Sequence, residues 1–112
     1  MTRYFKGFDH MNTTDDEETV ITLTSTEEEP KHLDEITVTQ RLSQDTLMIL
    51  YIEREKIMDN IPIEASPLNE NPYVFGVDID IPVGQTVTLK LKNQTAGSDG
   101  GVVGYVKYGI TA

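Results

Sequence analysis

The sequence predicts an all-β chain, an antiparallel β-sandwich of seven or eight short strands. Three observations predict it. Apolar and polar residues alternate with a period of two in run after run, the mark of a strand with one buried and one wet face. Turn-forming Pro and Gly recur between the runs, at the spacing of a small sandwich. No segment carries the 3.6-residue apolar period of an amphipathic helix.

Residues 1–17 stand apart from the rest. Tyr4, Phe5 and Phe8 interleave with Arg3 and Lys6, an aromatic-basic patch ahead of the polar stretch HMNTTDDEE at 10–18. Two readings are open: a frayed terminus or edge strand folded onto the sandwich, or a docking arm whose aromatics and cations anchor in a partner. The division expected from the second is an arm over 1–17 and a sandwich domain over 18–112.

Residues 19–25 begin the regular pattern, with Ile21 and Leu23 on one face and threonines on the other. The turn Glu27-Glu28-Glu29-Pro30 follows. Residues 33–41 bury Ile36 and Val38 and turn Thr37 and Thr39 to water. Residues 46–54 are apolar on both parities, Leu47, Ile49 and Tyr51 against Met48, Leu50 and Ile52. Such a strand is either central and covered on both faces, or it gives one face to an oligomer interface; in so small a domain the second is credible, and the parity of Met48, Leu50 and Ile52 is assigned to it.

Residues 56–61 read as a short returning strand. Pro62, Pro67 and Pro72 then stiffen a loop that cannot be helical. The clearest alternation lies in residues 74–92. Phe75, Val77, Ile79 and Ile81 share one parity, and Val87, Leu89 and Leu91 share another beyond a Pro82-Val83-Gly84 turn. A local hairpin would set Ile81 opposite Val87 and Asp78 opposite Lys90. GSDGG at 97–101 is a turn, and residues 102–111 close the chain as a strand.

One domain suits 112 residues. The absence of cysteine excludes disulfides, thiolate metal sites and cysteine nucleophiles, and it fits folding in a reducing cytoplasm. No apolar run approaches the ~20 residues of a spanning helix, and the first ten residues are too polar for a signal peptide. A formal charge of −10, from 19 acidic against 9 basic side chains, repels nucleic acid and anionic lipid. It serves either as a solubilising surface or as adaptation to high salt.

Little in the chain suggests catalysis. His10 beside Asp9 and His32 beside Asp34 lack the spacing of a positioned, partly buried imidazole and read as surface residues. The acidic runs at 15–18 and 27–29 do not follow a calcium-loop spacing and read as solvated faces. Asp78 and Asp80 share a strand face about 7 Å apart, from two rises of ~3.4 Å, a separation open to a hydrolytic pair. A facing Lys90 would make them ordinary cross-strand partners. The triplets at 12–14 and 93–95 fit the glycosylation acceptor pattern. No enzyme activity, cofactor or metal is expected.

Three segments together carry a resemblance: TVITLTSTEEEPKHLDEITV at 19–38, LMILYIEREKI at 47–57, and IPVGQTVTLKLKNQTAGSDGGVVGYVKY at 81–108. Their strand pattern resembles small jelly-roll-like virion proteins that decorate the capsids of tailed viruses, particularly those of halophilic archaea. The resemblance implies a jelly-roll-like sandwich and a decoration or cement protein, commonly a trimer, bound over joints between major capsid subunits. It places the protein on the virion surface after synthesis in the host cytoplasm, with no nucleic-acid or membrane partner. Capsid docking is then assigned to Arg3, Tyr4, Phe5, Lys6 and Phe8. The alternative is a carbohydrate-binding or adhesion module, for which Tyr73, Tyr105 and Tyr108 are the available platform in a chain without Trp.

Overall fold

The computed structural model describes residues 2–12, 16–40, 46–62, 73–94 and 100–111. They form eight strands: β1 (Thr2–Asn12), β2 (Glu18–Thr24), β3 (Lys31–Gln40), β4 (Thr46–Ile52), β5 (Glu55–Pro62), β6 (Tyr73–Ile81), β7 (Thr86–Asn93) and β8 (Gly100–Ile110). No described residue is helical. The strands make two four-stranded antiparallel sheets, in the orders β1-β8-β3-β6 and β2-β7-β4-β5.

The pairing is nested. β4 pairs with β5, β3 with β6, β2 with β7 and β1 with β8. It is one long antiparallel ribbon rolled into two layers, the strand order of a jelly roll. The expected all-β sandwich is thus the fold, with eight strands.

Period-two alternation puts the core between the layers. The first sheet contributes Leu33, Ile36, Val38, Ile81, Val102 and Val106. The second contributes Ile21, Leu23, Met48, Leu50, Val87, Leu89 and Leu91. Phe75, Val77 and Ile79 pack against this cluster while half-buried. Ser25, fully buried, ties two connections together at one end of the sandwich. Its hydroxyl accepts from the Lys31 N–H at 2.6 Å, and its carbonyl accepts from the Gly84 N–H at 2.8 Å.

Strands β6 and β7 alternate as expected but do not form the expected hairpin. β6 lies beside β3 in the first sheet, and β7 runs between β2 and β4 in the second. Residues 82–85 carry the chain from one layer to the other, with Gly84 at φ 87° and the Gln85 N–H donating to the Pro82 carbonyl at 3.0 Å. The reason is geometric. Two one-faced strands joined by a turn can bury their apolar sides next to each other or across a core, and alternation is the same in both. The Asp78–Lys90 pair therefore does not form. Asp78 bonds to His32, and the Lys90 ammonium lies 5.0 Å from the Tyr51 ring centre.

Residues 2–12, set apart above as an arm, run as an edge strand paired with β8 from Thr2↔Ile110 to Asn12↔Gly100. The parity of β4 assigned to an oligomer contact also needs correction. Met48 and Leu50 are fully buried in the sandwich core, and Ile52 packs against it. The opposite layer covers this face, so no second subunit is needed. Ile49, on the outer parity, is fully buried too.

Candidate functional site

The outer face of the first sheet is where the chain departs from a bland polar surface. Register sets three rows across its four strands. Arg3, Gly109, His32 and Asp80 form one row, Phe5, Lys107, Glu35 and Gly76 the next, and Gly7, Tyr105, Thr37 and Val74 the third. The rows carry two distinct chemistries, an apolar patch in the middle of the face and a charged cluster at one end.

The patch centres on Phe5 and Tyr105, whose rings meet edge to face with centroids 5.3 Å apart. Phe5 is 63% exposed, Val74 56% and Val103 40%. A shallow depression lies beside them, lined by Thr37, Thr39, Val103, Gly104 and Tyr105. Thr37, expected to face water, is buried on this face, flanked in register by Tyr105 and Val74. The outer face of the second sheet is polar by comparison. Thr24 and Thr86 share a hydroxyl–hydroxyl bond of 2.8 Å, and the Tyr51 hydroxyl donates to Glu17 at 2.6 Å.

The charged cluster lies at two irregularities in the ladder. Between Leu33 and Glu35, β3 holds Asp34 as an extra residue relative to β8, while β6 holds an extra residue relative to β3. On β6 this coincides with Asp78 at φ 51°, a left-handed conformation. Such bulges re-aim side chains. Here His32 and Asp34 of β3 meet Asp78 and Asp80 of β6 on one face, and the shift carries Asp78 onto His32. The His32 Nδ1 lies 2.6 Å from Asp80 Oδ1, and its Nε2 lies 2.6 Å from Asp78 Oδ1 and 3.7 Å from Asp34 Oδ1. Arg3 Nε closes on the other Asp34 oxygen at 2.7 Å.

A carboxylate on each ring nitrogen suits the imidazolium, which donates from both. The bond to Asp80, then that to Asp78, raises the His32 pKa above its usual value against a smaller opposing cost of desolvation. A raised folded-state pKa adds stability that is complete below the unfolded value of ~6.5 and is lost as pH rises through the folded value. Thermal melts in chelator-treated buffer should therefore show the midpoint falling from pH 6 upward, with His32→Gln flattening that fall. Identical pH profiles for the two proteins would remove the clamp from the stability account.

The residues assigned to docking divide unequally. Phe5 points outward. Tyr4 stacks on Tyr108 with centroids 5.6 Å apart, Phe8 packs half-buried against the core, Lys6 Nζ donates to the Thr22 carbonyl at 3.1 Å, and Arg3 holds Asp34. The strand thus uses most of its aromatic-basic pattern on its own fold. Glu27, Glu28 and Glu29 are exposed in the β2–β3 turn. Thr13, Thr14 and Thr95 of the two glycosylation triplets lie outside the described residues, as do positions 97–99 of GSDGG and the prolines 67 and 72.

Sequence reasoning missed the His32 cluster because its members are 46 and 48 residues apart. A signal was present. Leu33 and Ile36 are both apolar at a spacing of three, which breaks strict alternation and marks Asp34 as a bulge. His32/Asp34 and Asp78/Asp80 are each i, i+2 pairs, the spacing that two neighbouring strands can bring together.

These features define a small all-β, two-sheet sandwich protein with an apolar patch and a histidine–carboxylate cluster on one outer face. Comparison with protein-family models, with curated proteins and with solved structures finds no match for this chain.

Proposed function

We propose that this chain is a capsid decoration protein of a tailed virus, a virion structural protein that binds the assembled shell and stabilises it without chemistry. The observation that carries the reading is the patch of exposed Phe5, Val103 and Val74 around the half-buried Tyr105 on the first sheet. Aromatic anchors with aliphatic neighbours are the residue types that dominate protein interfaces, and a sheet face presents them as one rigid surface. The jelly-roll strand order, common among viral capsid and lectin domains, and the resemblance of residues 19–108 to decoration proteins support it. The partner is the major capsid protein. A homotrimer set over the joints of a symmetric shell would multiply weak contacts through effective concentration.

The reading moves docking from a free arm to a sheet face on which Phe5 is the contribution of β1. Phe5→Ala is expected to weaken binding to capsids depleted of this protein by about 2 kcal/mol, roughly 30-fold, the scale of an interface hot spot. Phe5→Asp with Tyr105→Asp should abolish it and leave the far-ultraviolet spectrum unchanged. Full occupancy by the double variant, read by sedimentation or electron microscopy, would remove this face from the docking account.

Of the tyrosines available to a carbohydrate module, Tyr108 packs against the core, and Tyr105 stands beside Phe5 on the outer face. The planes of Tyr105 and Phe5 lie 78° apart, whereas a sugar platform needs nearly coplanar aromatics, and this geometry favours the protein partner.

A further inference from the structure

We propose that His32, Asp34 and Asp78 form a binding site for a divalent transition-metal ion, with zinc as the ion the donor set suits best and Asp80 orienting the histidine. The proposal is independent of the capsid reading, since it concerns the charged end of the face and not the Phe5–Tyr105 patch.

The donor atoms lie together. One from each of the three residues falls within 4.8 Å of the others. Zinc bonds imidazole nitrogen at ~2.0–2.1 Å and carboxylate oxygen at ~2.0–2.2 Å, so it can sit between donors up to about 4 Å apart. Asp78 Oδ1 lies 2.6 Å from His32 Nε2, nearer than the ~3.4 Å between two donors of a tetrahedral zinc ion, so the 88% exposed Asp78 side chain must rotate outward to admit the ion. His32, at 17% exposed, and Asp34 are the fixed side of the site.

The surrounding groups behave as a metal's outer shell does. Asp80 Oδ1 sits 2.6 Å from His32 Nδ1. By accepting that proton it fixes the tautomer whose Nε2 lone pair faces Asp78 and Asp34, the carboxylate–histidine–metal arrangement. Arg3 holds the second Asp34 oxygen and leaves Oδ1 turned toward the ring. With a neutral imidazole, three carboxylates against one guanidinium leave two uncompensated negative charges. One divalent cation matches them. One imidazole with two carboxylates suits zinc better than calcium or magnesium, which favour all-oxygen sets.

The register brings the four groups to one face. Continued without a break, the His32↔Asp80 pairing would set Asp34 opposite Asp78. The extra residue on β6 shifts that second pair, and Asp78 Oδ1 comes to lie 2.6 Å from His32 Nε2, with Asp34 Oδ1 at 3.7 Å.

Isothermal titration of the full chain with zinc chloride in chelator-free buffer at neutral pH tests the proposal. One zinc per chain is expected, with a rise in melting temperature, and calcium chloride should give neither. His32→Gln should remove the binding. Asp78→Asn should also remove it, and it suits the left-handed backbone there because Asn tolerates that region. Asp80→Asn should weaken binding about 10–100-fold, the usual effect of losing an outer-shell partner. His10→Gln is the control for adventitious uptake by the other histidine, which lies 3.6 Å from Glu18, and it should change nothing. A cobalt-loaded sample should show a visible absorption band that His32→Gln abolishes. Absence of stoichiometric zinc uptake, or uptake that survives both His32→Gln and Asp78→Asn, would overturn the site and leave the cluster as a purely ionic clamp.

Discussion

Leu89→Ala is expected to lower the unfolding free energy by about 2–5 kcal/mol, the range for a buried leucine that leaves a cavity behind. Leu89 is fully buried at the centre of β7. In register it stands between Ile21 of β2 and Leu50 of β4, and Leu50 faces Met58 of β5. One unbroken apolar row thus crosses all four strands of the second sheet. Strands on both sides hold the neighbouring side chains in place, so the gap cannot close by a local shift. Net stabilities of small domains are about 5–15 kcal/mol, which makes the loss a large share of the whole. Chemical denaturation should show a lower midpoint with an unchanged slope. Thr88→Ala, on the outer side of the same strand, should stay within about 0.5 kcal/mol. A midpoint unmoved by Leu89→Ala would refute the register of β7.

Gly104→Ala is expected to be comparably damaging through the opposite error, too many atoms. Gly104 lies in β8 opposite Val38 of β3 and Phe8 of β1. A Cβ built there overlaps the Thr37 carbonyl oxygen and comes within 3.1 Å of the Thr37 carbonyl carbon and the Val38 Cα. These are backbone atoms of a neighbouring central strand, so no side chain can swing aside. Relief requires β3 and β8 to part where their ladder is continuous. Overpacking of this kind costs about 1–3 kcal/mol and at times more, and the rigidity of the obstacle points to the upper end. Gly76→Ala makes the matched comparison, because nothing lies within 4 Å of a Cβ there. It should be neutral or stabilise by up to about 1 kcal/mol through the unfolded chain. Equal melting temperatures for the two alanine variants would refute the close approach of β3 and β8.

What could be read from the sequence was local. Alternation placed Ile21, Leu23, Ile36, Val38, Val87, Leu89 and Leu91 on buried faces, and all seven are buried. Partners are not local, and there the reading failed. Alternation in β6 and β7 says which side of each strand is wet and nothing about which strand lies beside it. The same blindness applied to β4, where Met48 and Leu50 looked like a surplus apolar face until the opposite layer accounted for it. In β1 the aromatic-basic composition suggested an interface, and most of it is an interface with the protein's own β8, β2 and core. The His32 cluster is the extreme case. Each half is an ordinary i, i+2 polar pair, and its chemistry exists only when β3 and β6 are neighbours.

The nested pairing also sets an order in time. β4 and β5 meet across the two residues Glu53 and Arg54, whereas β1 must find a strand almost a whole chain length away. Closing long loops before any contact repays the entropy makes sandwich topologies slow. On the ribosome the disparity is larger. β1 emerges first and β8 last, and at about 5–20 residues per second the wait between them is roughly 5–20 s. Through that interval the nascent chain carries an unmatched strand with Tyr4, Phe5 and Phe8 uncovered, the kind of edge that recruits other chains. Arg3 and Asp9 flank those rings and Lys6 separates them, the placement by which charges keep an apolar strand from pairing with other chains.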